Sequence, residues 1–351
     1  MHRLFIVLIS LITTQSFAAE VANLYQSPVP VVSQSEQERQ QLAPQALQQV
    51  ILKVVGDRSA LDITDLSPVI NQANKLVQQF QYERINEISD DATQPDRLAL
   101  LLKFNENSLN NSLTDLGLPI WSKNRPDVLV WLALDDGQQR TVIGTESTDY
   151  NIPAGLKLAA EKRGLPLFMP VMDLQDQTQV KFADVWGDFS DNIETASQRY
   201  APAVILIARV SMENENSSQI HWHALINGQS ENWQSRGDIQ TALNAGIEEL
   251  TDRLARRFTQ VVNTNQYEKQ LALQITNVKD YADFSRVMQY LSKLQYVSKV
   301  ELESLAGEQV DVDISLKGDV AVFNQTLKID HVLFESTGGN EANILRYRLM
   351  P

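Results

Sequence analysis

Alternating apolar and polar positions predict three consecutive blocks of helices and strands, of which the first spans residues 19–123. An extended segment at 21–32 contains Pro28 and Pro30, which favour a position at the edge of a sheet. Apolar residues then recur at helical spacing up to Gly56, a residue suited to end a helix. The rest of the block predicts a short helix at 68–77, strands at 80–88 and 97–104, a helix at 109–116 and a strand at 118–121. The predicted element order is β-α-(α)-β-β-α-β.

The second block, residues 124–265, has the pattern of an α/β domain. Residues 127–134 form a nearly continuous apolar run, as expected for a strand covered on both faces. A second apolar strand is predicted at 201–210, with an antiparallel neighbour after it. The other predicted elements are helices at 153–163 and 241–262 and strands at 165–171, 219–226 and 230–239.

The third block, residues 266–351, predicts the order β-α-β-β-α-β, which is the ferredoxin-like arrangement. Its predicted elements are strands at 271–278, 297–305 and 310–317, helices at 280–294 and 319–329, and one or two final strands, at 332–335 and 344–349. The expected fold is therefore an α+β / α/β multidomain protein. Two ferredoxin-like (βαββαβ) domains, at 19–123 and 266–351, flank a central α/β domain at 124–265.

Residues 1–18 have the three-part pattern of a cleavable secretory signal. A short basic start precedes an apolar run at 4–12, and Ser16 and Ala18 place small residues at a cleavage site. The apolar run is shorter than the roughly 20 residues of a membrane span, and no second long apolar run follows. We therefore expect export to the periplasm, with no membrane span after signal cleavage.

Composition and charge exclude several classes of function. The 351 residues include no cysteine, which excludes disulfides, thiol catalysis and the lipid-carrying cysteine of a bacterial lipoprotein. The net charge of −14 disfavours nucleic acid as a partner. The sequence also lacks a nucleophile elbow, a phosphate-binding loop and a dinucleotide fingerprint. We therefore expect neither an enzyme nor a bound cofactor.

His221 and His223 are the one arrangement that suggests a metal site. Residues two apart on a strand point to the same side, so the two imidazoles can hold one ion together. A site needs at least one more ligand, and the neighbouring sequence supplies none. The alternative places both histidines on the solvent face of the strand while Trp222 is buried.

Acidic and aromatic residues cluster in the loop region that follows the strand predicted at 165–171. Such residues together can line a sugar-binding cleft, and paired carboxylates can also hydrolyse glycosides. Aspartates are equally common in ordinary loops, and Arg199 can either bind an anion or pair with one of them. The candidate ligand-binding residues are Asp173, Asp184, Trp186, Asp188 and Arg199.

Four segments, at 46–56, 116–121, 163–167 and 196–200, resemble in combination a family of exported gammaproteobacterial proteins, DUF2066. The resemblance extends over most of the chain after the signal. It implies an exported protein of this lineage. It implies no catalytic residues, because the family has no established activity.

The expected function is that of a non-enzymatic soluble periplasmic envelope protein, acting as a protein-interaction or accessory module. Small domains with exposed strand edges are suited to binding an envelope protein, because an edge accepts a partner strand. The alternative is a periplasmic small-ligand or glycan-binding protein that uses the central α/β domain. A carboxylate-dependent hydrolase is the third hypothesis. The identity of the partner and the oligomeric state stay open.

Overall fold

The computed structural model describes residues 19–85, 97–214, 216–226, 228–259, 269–294 and 297–316, together with 320, 323–324, 326–327, 332–336 and 344–350. Three predicted features lie outside these residues: the signal at 1–18, the boundary at 265/266 and most of the helix at 319–329. Within the described residues the protein is mixed α/β, with eleven α-helices and three sheets of three or more strands. None of the described helices is long and apolar enough to span a membrane.

The first domain packs a long helix on a three-stranded antiparallel sheet of order β2-β4-β3. Its elements are β1 (Ala19–Glu20), β2 (Gln26–Val31), α1 (Glu36–Val55), α2 (Arg58–Asp62), α3 (Ser67–Ile70), α4 (Ala73–Leu76), β3 (Val77–Ile85), β4 (Arg97–Phe104) and α5 (Glu106–Asp115). Ser35 caps α1 by accepting a hydrogen bond from the Glu38 N–H, and Gly56 ends it with φ of 77°. The apolar side of α1 is fully buried against the sheet.

The strand predicted at 118–121 does not form. Pro119 lacks an N–H to donate to a neighbouring strand, and the Trp121 N–H donates to the Val54 carbonyl at the end of α1, at 2.8 Å. The first sheet therefore lacks the fourth strand of a βαββαβ unit within the described residues.

The second domain is built around a six-stranded mixed sheet of order β11-β10-β9-β6-β7, with β8 parallel to β6. Its elements are β5 (Asn124–Arg125), β6 (Val128–Asp135), β7 (Arg140–Ile143), α6 (Ile152–Arg163), β8 (Leu167–Phe168), α7 (Leu174–Gln179), α8 (Phe182–Trp186), α9 (Ser190–Ser197), β9 (Val204–Asn214), β10 (Ser217–Ile226), β11 (Gln229–Gly237) and α10 (Ile239–Phe258). Strand β6 lies inside the sheet, where it pairs in parallel with β9, and it is buried on both faces. β5 pairs with β1 in a separate two-stranded ribbon that joins the first two domains.

The third domain contains a five-stranded sheet of order β13-β14-β12-β16-β15. Its elements are β12 (Lys269–Thr276), α11 (Tyr281–Lys293), β13 (Val297–Ala306), β14 (Gln309–Leu316), β15 (Leu333–Glu335) and β16 (Ile344–Leu349). A βαββαβ unit ends in a single strand, whereas this domain ends in two, β15 and β16, which are antiparallel to each other. Strand β16 is also parallel to β12. With three strands in the first sheet and five in this one, the predicted ferredoxin-like arrangement of the outer domains is not confirmed.

Buried arginines connect the first and second domains. Arg163 donates to Asp252 Oδ1 and to the Gly56 carbonyl, both at 2.6 Å. Arg125 is fully buried and donates to the Lys53 carbonyl at 2.6 Å and to the Gly164 carbonyl at 2.8 Å. These bonds cap the C-terminal ends of α1 and α6, because the last carbonyls of a helix lack partners within it.

Candidate functional site

The central sheet has one face that helices cover only in part. Its apolar face packs on α6 and α10, with Trp222 among the buried residues. On the opposite face, α8 and α9 cover β6 and the beginning of β9, where Trp131 and Ile207 are buried. Beyond them this second face is polar. We call this set of residues, which strand alternation places on one side of the sheet, the polar face: Arg209, Gln219, His221, His223, Ser230, Asn232, Gln234 and Arg236.

His223 lies in a hydrogen-bond chain between Asp188 and Ser230. Its Nδ1 is 2.6 Å from Asp188 Oδ1, and its Nε2 is 2.7 Å from Ser230 Oγ. A carboxylate only accepts hydrogen bonds, so Nδ1 carries the proton. In the neutral ring Nε2 then accepts from the hydroxyl. The side chains of His223 and Asp188 are 10% and 21% exposed, whereas Ser230 is at the surface.

The end of α8 positions Asp188 against the sheet. Gly187 is the C-cap of α8, and Asp188 follows it in the left-handed region with φ of 58°. The Phe189 N–H returns to the Asp184 carbonyl at 2.9 Å and closes the turn. This turn brings the Asp188 carboxylate to His223, 35 residues later in the chain.

Arginine side chains give the polar face a positive character. Arg209 Nη2 is 3.8 Å from Asp188 Oδ2, and its buried Nε has no hydrogen-bond partner among the described residues. Arg236 is exposed at the edge strand. The pKa of His221 lies below its usual value, first because of burial and then because Arg209 and Arg236 repel the imidazolium. A patch of cations therefore occurs in a chain whose net charge is −14.

The predicted metal pair shares one side of β10, but neighbouring side chains engage both rings. Both ring nitrogens of His223 are engaged, by Asp188 and Ser230. His221 Nε2 is 3.0 Å from the Gln219 amide nitrogen, which donates to it. Across the described part of the chain, no group of three or more His, Asp, Glu or Cys side chains is placed to hold a metal ion. The pair thus lacks the third ligand that the prediction requires.

Arg199 pairs with loop aspartates. Its guanidinium makes two hydrogen bonds of 2.8 Å to Asp173, and a third of 2.9 Å to the fully buried Asp176. Tyr200 donates to Asp176 at 2.6 Å. The Arg199 hydrogen bonds hold the pKa of Asp173 well below its usual range. These residues fix the segment before α7, and none of these hydrogen bonds involves Asp188 or His223.

Two other predicted ligand-binding residues also have local roles. Asp184 accepts from the Lys181 N–H at 2.7 Å and from the Asn192 amide at 3.0 Å, which holds α8 and α9 together. Trp186 stacks on Phe182 with ring centroids 5.1 Å apart. Of the five residues predicted to bind a ligand, Asp188 is the one that the structure brings to the polar face.

Sequence reasoning missed Arg209, Ser230 and Arg236. Arg209 had a usable signal, because it is a charge inside the apolar run predicted as a strand at 201–210. A charged residue on such a strand marks a side that the core does not cover. Ser230 and Arg236 had no comparable signal, since polar residues are ordinary on an edge strand.

A separate cavity of about 260 Å³ lies in the first domain. Within its lining, Lys123 pairs with Glu106 at 2.5 Å, and the Tyr25 hydroxyl donates to Asn110 at 2.9 Å. Burial raises the pKa of Tyr25 to about 12, so its phenol is neutral at pH 7. These pairs satisfy polar groups that a ligand would otherwise bind, which makes the polar face the stronger candidate.

Comparison with protein-family models matches residues 18–122 to a domain of unknown function, DUF8605. The resemblance to DUF2066 is therefore wrong, since the match is to a different family. Two of the segments behind that resemblance, at 46–56 and 116–121, lie within the matched residues. They contain a helix ending in glycine and a proline-containing link, features that follow from chain geometry and recur in unrelated domains. The match covers less than half of the chain and excludes the polar face.

No curated protein matches the sequence. One solved structure, a competence or damage-inducible protein from Enterobacter asburiae, is 12% identical, with 43% of this chain and 94% of that chain covered and a TM-score of 0.21. That TM-score does not establish a shared fold.

Proposed function

We propose that this protein is exported to the periplasm and acts there as an accessory protein that binds an extended acidic segment of another envelope protein. The observation that carries this proposal is the open edge of β11 beside the polar face. Within the described residues β11 pairs with β10 alone, so no strand occupies its other side. The free N–H and C=O groups of such an edge accept an extended segment as an additional strand.

Charge supports an acidic partner. Every second side chain of an added strand would lie on the same side of the sheet as Asn232, Gln234 and Arg236. Arg236 is exposed there, and Arg209 adds a second guanidinium on the same side, two strands further in. The rest of this acidic chain repels an acidic segment, so electrostatic attraction favours this edge.

Export has a direct test. When the full chain is expressed in a Gram-negative host, we expect it in the periplasmic fraction with Ala19 as its N-terminal residue, as measured by intact mass. Replacing Ala18 with arginine removes the small residue that cleavage requires, and the signal should then stay attached. A cytoplasmic protein that retains Met1 in the unmodified chain would contradict export.

The binding proposal predicts that Arg236→Gln weakens binding of an acidic peptide by about 5-fold. The change removes one ion-pair partner, and about 1 kcal/mol is the upper range for such a pair at an exposed site. The probe is a labelled peptide of alternating Glu and Val, and fluorescence anisotropy measures its affinity for the mature protein. Added salt should also weaken binding, because it screens the attraction.

The matched control for this variant is Arg140→Gln. Arg140 lies on β7, at the other end of the strand order from β11, and pairs with Asp135 at 2.8 Å. We expect this variant to bind the peptide like the unmodified protein. Equal losses in Arg140→Gln and Arg236→Gln, or no binding at all, would contradict the proposal. Competition by a small dicarboxylate as strong as by the peptide would instead favour the small-ligand alternative.

A further inference from the structure

Ser230, His223 and Asp188 have the connectivity of a nucleophilic triad. A serine hydroxyl lies 2.7 Å from Nε2 of a histidine, and a carboxylate lies 2.6 Å from Nδ1 of the same ring. In enzymes with this arrangement the histidine accepts the serine proton, while the carboxylate fixes the tautomer and stabilises the imidazolium. The three residues come from the α8–α9 turn and from two strands of a hairpin, so no contiguous sequence motif encodes them.

The protonation pattern suits nucleophilic attack. Asp188 holds the proton on Nδ1, which leaves the lone pair of Nε2 directed at the Ser230 hydroxyl. Arg209 Nη2 lies 3.8 Å from the second Asp188 oxygen, the one that does not contact His223. His223 is the general base, and Asp188 is a positioning residue that acts through it.

A purely structural role explains only part of this geometry. Attaching the α8–α9 turn to the sheet requires the bond between Asp188 and His223. It does not require an exposed hydroxyl aligned on the other ring nitrogen.

We propose that Ser230, His223 and Asp188 catalyse the hydrolysis of a carboxylic ester at the polar face. An ester is the class that fits a nucleophile on an open surface, because an alcohol leaves more readily than an amine. This activity goes beyond the proposed binding function and departs from the expectation of no enzyme. That expectation rests on missing contiguous motifs, and this site assembles from distant residues.

The reaction balances with water as the only co-reactant. Ser230 Oγ bonds to the ester carbonyl carbon while its proton moves to His223 Nε2. The bond from carbon to the alcohol oxygen then breaks, and the leaving alcohol takes that proton. Water attacks the acyl-serine with His223 again as base, which releases a carboxylic acid and restores the Ser230 hydroxyl.

The experiment combines covalent labelling with turnover on the mature protein. A fluorophosphonate probe should label Ser230, as located by mass spectrometry of the proteolytic peptide, and p-nitrophenyl acetate should be hydrolysed above the buffer rate. Ser230→Ala removes one exposed oxygen, so the variant should fold normally while labelling and turnover fall to background. Ser217→Ala, on β10 of the same hairpin, is the matched control and should retain both.

Asp188→Asn tests the positioning role. The amide keeps the shape of the side chain but favours the wrong tautomer of His223. We therefore expect kcat to fall by about 100-fold or more while KM changes by less than about 3-fold. Equal changes in KM and kcat, or hydrolysis by Ser230→Ala at the unmodified rate with no label on Ser230, would overturn the proposal. Acidic-peptide binding should persist in Ser230→Ala, so failure of the esterase proposal is distinguishable from failure of the binding proposal.

Discussion

Replacing Asp252 with alanine is expected to lower the free energy of unfolding by about 3–5 kcal/mol. The Asp252 side chain is 6% exposed and accepts hydrogen bonds from Arg163 at 2.6 Å and from Arg58 at 2.7 Å. Arg163 is 1% exposed, so its guanidinium would lose its only carboxylate partner among the described residues while remaining buried. A buried charge without a counter-charge is the costly case, because water cannot replace the lost partner.

Urea unfolding followed by circular dichroism and tryptophan fluorescence measures this effect. Trp121 lies at the junction of the first two domains, where its ring packs under Arg125 with 4.1 Å from the guanidinium carbon to the ring centroid. Trp121 is one of the five tryptophans of the chain, so that interface contributes part of the fluorescence signal. Glu161→Ala is the matched control, since Glu161 forms an exposed ion pair of 3.9 Å with Lys157 on α6. We expect a change below about 0.5 kcal/mol for the control. A loss below about 1 kcal/mol in Asp252→Ala would show that the arginines find other compensation.

Hydrophobic patterning was sufficient for elements whose core contacts are regular. The apolar run at 127–134 predicts a strand covered on both faces, and β6 occupies Val128–Asp135 with such burial. The stripe at 241–262 predicts a helix, and α10 occupies Ile239–Phe258 with Asp238 as its N-cap. In both, the side chains in contact with the core follow the period of the backbone, so local pattern and tertiary packing agree.

Patterning failed where a residue serves a contact distant in sequence. Residues 118–121 have the composition of a strand, yet the Trp121 indole lies against Gly56 and belongs to the core of the second domain, and its N–H caps α1. These Trp121 contacts form only where the first and second domains pack together. The spacing of proline and tryptophan in the sequence does not predict that interface. By contrast, the sequence predicts one or two strands at the end of the third domain, and the structure has both, β15 and β16.

The candidate site was predicted in separate parts. The sequence places Asp188 in a predicted ligand-binding loop and His223 in a predicted metal pair, and the structure joins them across 35 residues. Their bond depends on the left-handed turn after α8, which sequence composition does not specify. Ser230 completes the chain from the adjacent strand, through the register of β10 and β11. Residue types were therefore partly predictable, while their convergence required tertiary structure.

Gly246→Ala is expected to destabilise the central domain by about 1–3 kcal/mol, although alanine favours a helix over glycine by about 1 kcal/mol. A Cβ at position 246 would overlap the Trp222 indole. That ring has no room to move: it is 1% exposed, donates to Ser235 Oγ at 2.8 Å and stacks on Trp233 at 6.1 Å between centroids. Trp233 in turn donates to the Gly246 carbonyl at 3.2 Å. Helix, sheet and both indoles must therefore shift together to admit one methyl group.

Gly155→Ala in α6 is the matched control, since it makes the same change inside a neighbouring helix of the same domain. The new Cβ there meets the end of the Gln240 side chain, which can rotate away. Only the hydrogen bond from Gln240 to the Tyr150 carbonyl is at risk. Helix propensity then dominates, so we expect the free energy of unfolding of Gly155→Ala to be unchanged or to rise by up to about 1 kcal/mol. Thermal unfolding should give a lower midpoint for Gly246→Ala and an unchanged or higher midpoint for Gly155→Ala. A rise for both would mean that the two stacked indoles yield to the methyl group, and that close packing of α10 on the sheet does not dictate glycine at 246.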